Sequence, residues 1–324
     1  MQQTYYDFSA FELLQDKKPL LVCDGAFDFL NINLPCEFIR FSDFTSNPLY
    51  EEARAGAKVL RRNKCNFIVA IGGGSSIDTA KGIKYYNHVD MPIMAVPTTS
   101  GTGSEATHFA VIYKDGEKQS IADKRLLPDY VVLQPDVLKT LPLYQKKCTM
   151  LDDLCQSIES WWSKRATSES IKYSKQAIKL ILDNMDSYLN NEGEGNKNML
   201  TASNLAGKAI NITTTTAPHA MSYKLTSLYG LPHGHAAALC LPKVWRYMKD
   251  FEGIASALGQ NSSEEGILFL EELLQKLEIF PPPKINDGDL EILTDSVNTG
   301  RLFNNPVRLD RDTIKNLYEE ILEV

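Results

Sequence analysis

Three of the chain's five histidines, His219, His233 and His235, fall within residues 217–242 (APHAMSYKLTSLYGLPHGHAAALCLP). Neutral imidazole is a strong ligand for divalent first-row metals. His219 and His233 stand fourteen residues apart with a Gly-Leu-Pro break before the second, which predicts them near the starts of two successive helices. Two histidines alone also occur as hydrogen-bonded core or cap residues, so further ligands are required. Upstream, residues 149–159 (TMLDDLCQSIE) read as helix, and there Asp152 and Gln156, four apart, share a face while Asp153 points elsewhere. One carboxylate oxygen, one amide oxygen and two imidazole nitrogens make a donor set for a divalent metal, with room for a substrate oxygen. An Asp/Gln pair at that spacing is otherwise ordinary hydrogen-bonded helix surface; the histidines give it meaning.

A second kind of chemistry is written at residues 66–81, where the apolar run NFIVAI leads into Gly72-Gly73-Gly74-Ser75-Ser76-Ile77-Asp78. Three glycines between a buried strand and a helix let the backbone approach a phosphate and aim the first N–H groups of the helix at its charge. The loop is neither GxGxxG nor a Walker loop, and a plain tight turn is the competing reading. A Thr/Ser/Gly-rich loop at 97–104, carrying Thr98, Thr99 and Thr102, follows another strand and is expected to line the same cleft. Asp24, at the end of a first strand at 18–23 (KPLLVC), could bind ribose hydroxyls, which favours NAD over NADP because an acid there repels a 2′-phosphate. A solvated turn aspartate is its alternative.

These residues need a scaffold. Strands at 18–23, 36–41, 66–71 and 92–96 alternate with helical patterns, the first beginning after Asn47-Pro48 and running over 49–64. That alternation predicts a parallel sheet covered by helices, with ligands at the carboxyl ends of its strands. Residues 111–113 and 119–121, joined through 114–118, read as a β-hairpin. From about residue 141 helical periods take over, at 148–163, 168–189, 198–212, 235–248, 264–277 and 311–322. The expected division is an α/β domain over 1–145 and an all-helical domain over 146–324.

The bulk numbers agree. A chain of 324 residues with 43% hydrophobic composition can bury more than one core. A net charge of −7 without a basic block argues against a nucleic-acid surface. No apolar run is long enough to span a bilayer and the first residues lack the order of a signal peptide, so a cytoplasmic location without membrane association is expected. Six cysteines (Cys23, Cys36, Cys65, Cys148, Cys155, Cys240) never form CxxC and read as reduced thiols.

GGGSSIDTAK, PTTSGTGSEAT and HAMSY with LPHGHA resemble the iron-dependent (group III) alcohol dehydrogenases, and residues 304–310 (NNPVRLD) resemble that family's ending. The resemblance implies a Rossmann-like N-terminal dinucleotide-binding domain, a helical C-terminal domain of dehydroquinate synthase-like architecture, and a catalytic metal in the cleft between. Asp152, His219 and His233 fall on family metal ligands. Gln156 stands where the family usually has a histidine, and Tyr223 where a further active-site histidine is usual. Fe2+, with Zn2+ as the alternative, and NAD(H) or NADP(H) are the implied cofactors. Asn47, Gly72, Gly73, Gly74, Ser75, Asp78 and Lys118 join Asp24 and the threonines as cofactor-binding candidates; a solvated loop end is the other reading of Lys118. A homo-oligomer, a dimer, is also expected.

Residues 155–163 (CQSIESWWS), 107–111 and 219–242 look most like the branch that reduces phosphonoacetaldehyde to 2-hydroxyethylphosphonate in phosphonate biosynthesis. The expected reaction is hydride transfer from a reduced nicotinamide to an aldehyde whose oxygen is polarised by the metal. Tyr223 or His235 could relay the proton; packing for Tyr223 and orientation of a ligand for His235 are the alternatives. Lys124, Arg125, Lys224, Arg246 and Arg301 are cations a phosphonate could use, but spacing assigns none of them. The rivals are a generic short-chain aldehyde reductase of the same family and a non-catalytic nucleotide-binding protein.

Overall fold

The structure is a computed structural model and describes residues 2–88, 90–115 and 117–323, the side chains of Asn87 and Glu117 excepted. The chain forms two compact units, one comprising residues up to Pro142 with Asp186–Gly207, the other Leu143–Met185 with Lys208 onward.

The first unit is built on β1 (Gln3–Tyr5), β2 (Pro19–Cys23), β3 (Ile39–Phe41), β4 (Phe67–Gly72), β5 (Ile93–Pro97) and β8 (Tyr130–Val132). They form one parallel sheet in the order β1-β8-β5-β4-β2-β3. Every residue of β2, β4 and β5 is buried, as continuous apolar runs covered on both faces require. α1 (Tyr50–Arg62) and α2 (Gly74–Asn87) give the sheet Ala57, Leu60, Ile77, Ala80 and Ile83, which pack with Leu20, Val22, Ile68, Ala70, Ile93 and Ala95. Each large aliphatic side chain so buried contributes about 1.5–3 kcal/mol. Strand order reverses between β2 and β4, where Cys23 lies opposite Ile71. Asp24 and the glycine turn therefore emerge side by side at the switch point, where open α/β sheets hold ligands.

Outside the sheet, β6 (Phe109–Lys114) and β7 (Glu117–Ala122) form an antiparallel hairpin. It is longer than expected because the ladder continues to Lys114 opposite Glu117, so Lys118 lies within β7, opposite Tyr113; Gly116 of the expected connection lies outside the described residues. The expected strand at 36–41 shrinks to β3, which lies at the sheet's edge and pairs with Leu20–Val22 of β2.

The helical part contains α3 (Leu143–Trp162), α4 (Ser168–Leu189), α5 (Gly193–Thr213), α6 (Ala217–Tyr229), α7 (His233–Met248), α8 (Glu252–Ala257), α9 (Ser263–Lys276), α10 (Asp289–Ser296), α11 (Thr299–Leu302) and α12 (Arg311–Leu322). The C-terminal end of α4 and most of α5 belong to the first unit, which helical periodicity alone does not reveal. α3 is buried almost all round from Cys148 to Ser160, polar residues included, so it is the central helix of its unit. None of the helices among the described residues is long and apolar enough to cross a membrane. All six cysteines are free.

Candidate metal and nucleotide sites

α3 carries Asp152, Gln156 and Glu159 on one face, all buried. α6 begins at Ala217-Pro218, with the proline in the first turn where its missing N–H costs nothing, and this sets His219 one residue further on. α7 begins at His233 behind the Gly230-Leu231-Pro232 break, Gly230 ending α6 in a left-handed conformation. The approach of α7 to α3 depends on Gly234: a Cβ there would lie 2.0 Å from the carbonyl oxygen of Cys148 and 2.8 Å from Cβ of Asp152. Only a residue without a side chain lets His233 come this close to Asp152.

One donor atom each from Asp152, His219 and His233 lies within 4.8 Å of the others. The tautomers follow from their partners. His219 Nδ1–H donates to Glu159 Oε1, which turns Nε2 toward Asp152 Oδ1 at 3.1 Å. Ser222 Oγ donates its only proton to the carbonyl of His219 at 2.9 Å, so its 3.3 Å contact with His233 Nδ1 has the imidazole as donor and leaves the lone pair on Nε2. Glu159 is itself anchored, accepting from Thr216 N at 2.6 Å and Thr216 Oγ1 at 2.8 Å at the head of α6. A carboxylate behind a histidine with the opposite nitrogen turned to a second carboxylate is an arrangement that divalent metals use. Two imidazoles whose Nδ1 atoms are held by partners, beside a buried carboxylate, fit such an ion, with the Gln156 amide buried one turn along α3. In the metal-free chain burial pushes His219 down, but Glu159 and Asp152 outweigh it and raise its pKa to about 10.

Tyr223 stacks on His233, ring centroids 5.3 Å apart and the planes at 1°. Its hydroxyl accepts a 2.7 Å hydrogen bond from Arg301 Nη1, and the guanidinium carbon lies 4.9 Å from the ring centroid. Burial raises the Tyr223 pKa against the pull of Arg301, so the phenol keeps its proton. His235, considered as a proton relay or as an orienting residue, has partners at both ring nitrogens. Its Nε2–H donates to Phe280 O at 2.8 Å and its Nδ1 accepts from Tyr144 OH at 2.8 Å. With both nitrogens engaged and its pKa lowered by burial, it ties the start of α7 to α3 and to the segment around Phe280.

In the first unit the glycine turn and the 97–104 loop close on each other. A Cβ on Gly73 would lie 3.2 Å from Thr99 Oγ1, and one on Gly74 only 2.8 Å from Thr102 Cγ2, while Thr98 N donates to Gly72 O at 3.0 Å. The first helical bond of α2 runs from Ile77 N to Gly73 O, so the N–H groups of Gly74, Ser75 and Ser76 point out of the helix start. Ser75 Oγ donates to Ser46 O at 2.5 Å, and Pro48 O accepts from Tyr113 N at 2.8 Å. These bonds draw Asn47 and the Lys118 register position to the same side as the turn. Glu52 holds the 45–49 loop, accepting from Thr45 N at 3.1 Å and Leu49 N at 2.7 Å.

Asp78 and Asp24, both expected at the cofactor site, have partners within the chain. Asp78 Oδ1 accepts from Ser104 Oγ and Oδ2 from Val111 N, so it ties α2 to the loop and hairpin beside the turn. A half-buried carboxylate gains from such donors; desolvation still raises its pKa in spite of Lys81. Lys81, fully buried and lowered to about 8 by the same desolvation, donates to the carbonyls of Ser104, Thr107 and Phe109. Asp24 caps the short 3-10 turn at Gly25–Phe29, accepting from Ala26 N at 2.9 Å, with the rest of its exposed carboxylate still facing solvent.

Glu159, Gly234 and Arg301 are site residues that the sequence reading did not single out for these roles. Glu159 carries a signal, since it follows Asp152 by seven and Gln156 by three on one helix. Gly234 has none beyond its place between two histidines.

Residues 9–135 match the family described as iron-containing alcohol dehydrogenase, and residues 147–322 match the C-terminal family of Fe-containing alcohol dehydrogenases. The chain is 28% identical to a phosphonoacetaldehyde reductase of Streptomyces viridochromogenes, over 85% of this chain and 80% of that protein. It is 30% identical to a 1,3-propanediol dehydrogenase of Citrobacter freundii, over 95% and 92%. A sulfoacetaldehyde reductase from Bifidobacterium kashiwanohense, solved in complex with NAD+, superimposes with a TM-score of 0.90 at 25% identity, over 99% of this chain and 97% of that one.

Proposed function

The chain belongs to the iron-containing alcohol dehydrogenase family, and from that premise we propose that it reduces phosphonoacetaldehyde to 2-hydroxyethylphosphonate with a reduced nicotinamide cofactor and a divalent metal. The observation that carries the catalytic part is the cluster of buried Asp152 and His219 with half-buried His233, backed by Glu159. Support for the substrate is the likeness to a phosphonoacetaldehyde reductase, with a sulfoacetaldehyde reductase among the structural neighbours.

Asp152, Gln156, His219 and His233 would hold the metal, Fe2+ or Zn2+. When bound, that ion supplies Lewis acidity toward a carbonyl oxygen, and the nicotinamide supplies the hydride. The glycine turn and the N–H groups at the start of α2 would bind the pyrophosphate, with Thr98, Thr99 and Thr102 from the neighbouring loop available to it. Asp24 offers an acid at the switch point, which favours NAD. Glu159 orients His219 and Ser222 orients His233, so each ring would offer its Nε2 to the metal. In the balanced reaction the carbonyl carbon gains a hydride and its oxygen a proton. Tyr223, kept protonated by burial, is the remaining side-chain donor once His235 is engaged by Tyr144 and Phe280.

The test is oxidation of NADH and of NADPH by metal-loaded protein with phosphonoacetaldehyde, sulfoacetaldehyde, 3-hydroxypropanal and butanal. Phosphonoacetaldehyde should show the highest kcat/KM. Equal or better use of the neutral aldehydes would replace this reading with a short-chain aldehyde reductase, which the likeness to a 1,3-propanediol dehydrogenase favours. No stoichiometric metal uptake and no turnover of any aldehyde would indicate a nucleotide-binding protein without catalysis.

A further inference from the structure

An acidic substrate needs a cation at a set distance from the reacting carbonyl. Of the five cations considered from sequence, Arg125 is bonded to Asp123, and Arg246 is bonded to Glu271 with Glu264 close by. What singles out Arg301 is its place: it is joined to the metal-ligand cluster through one aromatic ring. Its guanidinium lies 4.9 Å from the centroid of Tyr223, and that ring lies 5.3 Å from the imidazole of His233, which bounds the separation of guanidinium and imidazole at roughly 10 Å.

We propose that Arg301 is the residue that selects the substrate's anionic end, binding a tetrahedral phosphonate or sulfonate carried on the carbon next to the aldehyde. This rests on the function proposed above and names the group that sets its substrate class. With the guanidinium no further than that bound from the imidazole, a short acidic aldehyde is of a size to serve both: its carbonyl oxygen and its phosphorus or sulfur stand about 4 Å apart, and a fork contact from guanidinium to oxyanion adds about 4 Å between centres. Guanidinium presents its N–H donors in a rigid fork that suits an oxyanion, and here it is already held by its bond to Tyr223. That bond and the stacked ring hold the guanidinium plane, so little side-chain freedom is lost when the anion docks. Tyr223 thus serves both partners, setting the face of His233 on one side and the aim of Arg301 on the other.

The experiment compares kcat/KM for phosphonoacetaldehyde, sulfoacetaldehyde and 3,3-dimethylbutanal, a neutral aldehyde of similar tetrahedral shape, in metal-loaded wild type, Arg301→Gln and Arg301→Lys. The expected result is a wild-type preference for the acidic aldehydes that falls roughly 100-fold in Arg301→Gln and returns in part with Arg301→Lys, which restores charge without the fork. The larger of the two acidic ratios identifies the phosphonate or the sulfonate as the natural group. A preference that survives Arg301→Gln within threefold overturns the assignment of Arg301 and leaves the proposed substrate class standing. No wild-type preference overturns that class, and the inference with it. Should Arg301→Gln turn over nothing, calorimetric titration with methylphosphonate decides: binding lost relative to wild type supports the assignment, and binding retained refutes it.

Discussion

Replacing Glu159 by Gln keeps the shape of a fully buried side chain and removes one acceptor. Glu159 accepts from three donors, His219 Nδ1, Thr216 N and Thr216 Oγ1. A glutamine has one acceptor oxygen and one donor nitrogen. With its oxygen toward Thr216, its NH2 faces His219 Nδ1 and forces the tautomer whose Nε2 carries hydrogen, which cannot bind metal. Turned the other way, it sets NH2 against the Thr216 N–H, leaving a buried donor unsatisfied at about 1–3 kcal/mol. Either arrangement penalises the metal-ready state, and metal affinity should fall about 10–100-fold, the usual cost of losing such a supporting partner. Competition with a chelator of known affinity, at constant pH, reads this directly. A dissociation constant within twofold of wild type would refute the role given to Glu159. The pH dependence supplies a second reading. In the metal-free chain His219 has its pKa raised from 6.5 to about 10, so its stabilising effect is full below 6.5 and is lost as pH rises through about 10. An incoming metal must displace that proton, and wild-type affinity should climb across the same window. With Glu159→Gln one of the two carboxylates that raise His219 is gone, and the climb should end at lower pH.

Gln156→His should tighten metal binding about 10-fold or more, because imidazole is a better donor than an amide oxygen to first-row ions; an unchanged or weaker constant by the same competition would count against Gln156 as a ligand. Gly74→Ala places a methyl 2.8 Å from Thr102 Cγ2 and should lower stability by about 1–3 kcal/mol in denaturant titration while weakening NADH binding; unaltered NADH affinity would remove the turn from the cofactor site. Asp24→Ser retains a side-chain oxygen to cap Ala26 N but removes the charge, so stability should hold while NADPH use relative to NADH rises about 10-fold through loss of repulsion; unchanged selectivity would end the ribose role of Asp24.

Much of this protein was legible where the physics is local. Apolar runs as long as those of β2, β4 and β5 bury wherever they occur, and a glycine triplet after one of them makes a turn whatever lies nearby. Asp152 and Gln156 share a face because helical geometry demands it, and the Gly230-Leu231-Pro232 break separates α6 from α7 for the same kind of reason. β1 and β8, three residues each, carry too little periodicity to be seen, and they form because neighbouring strands offer partners.

What sequence alone determined was therefore the order of the central strands and the longer helices, the turn that can cradle a phosphate, and the residue types from which a metal site could be made. Tertiary structure decided which of those residues face one another. It turned Asp78 toward Ser104 and Val111, engaged His235 with Tyr144 and Phe280, joined Glu159 to a histidine sixty residues later, and set Arg301 on Tyr223, seventy-eight residues earlier. The reason is that a buried polar group takes whichever partner the packed fold presents within 3 Å or so, and that choice depends on how helices far apart in the chain come together rather than on the spacing of residues along any one of them.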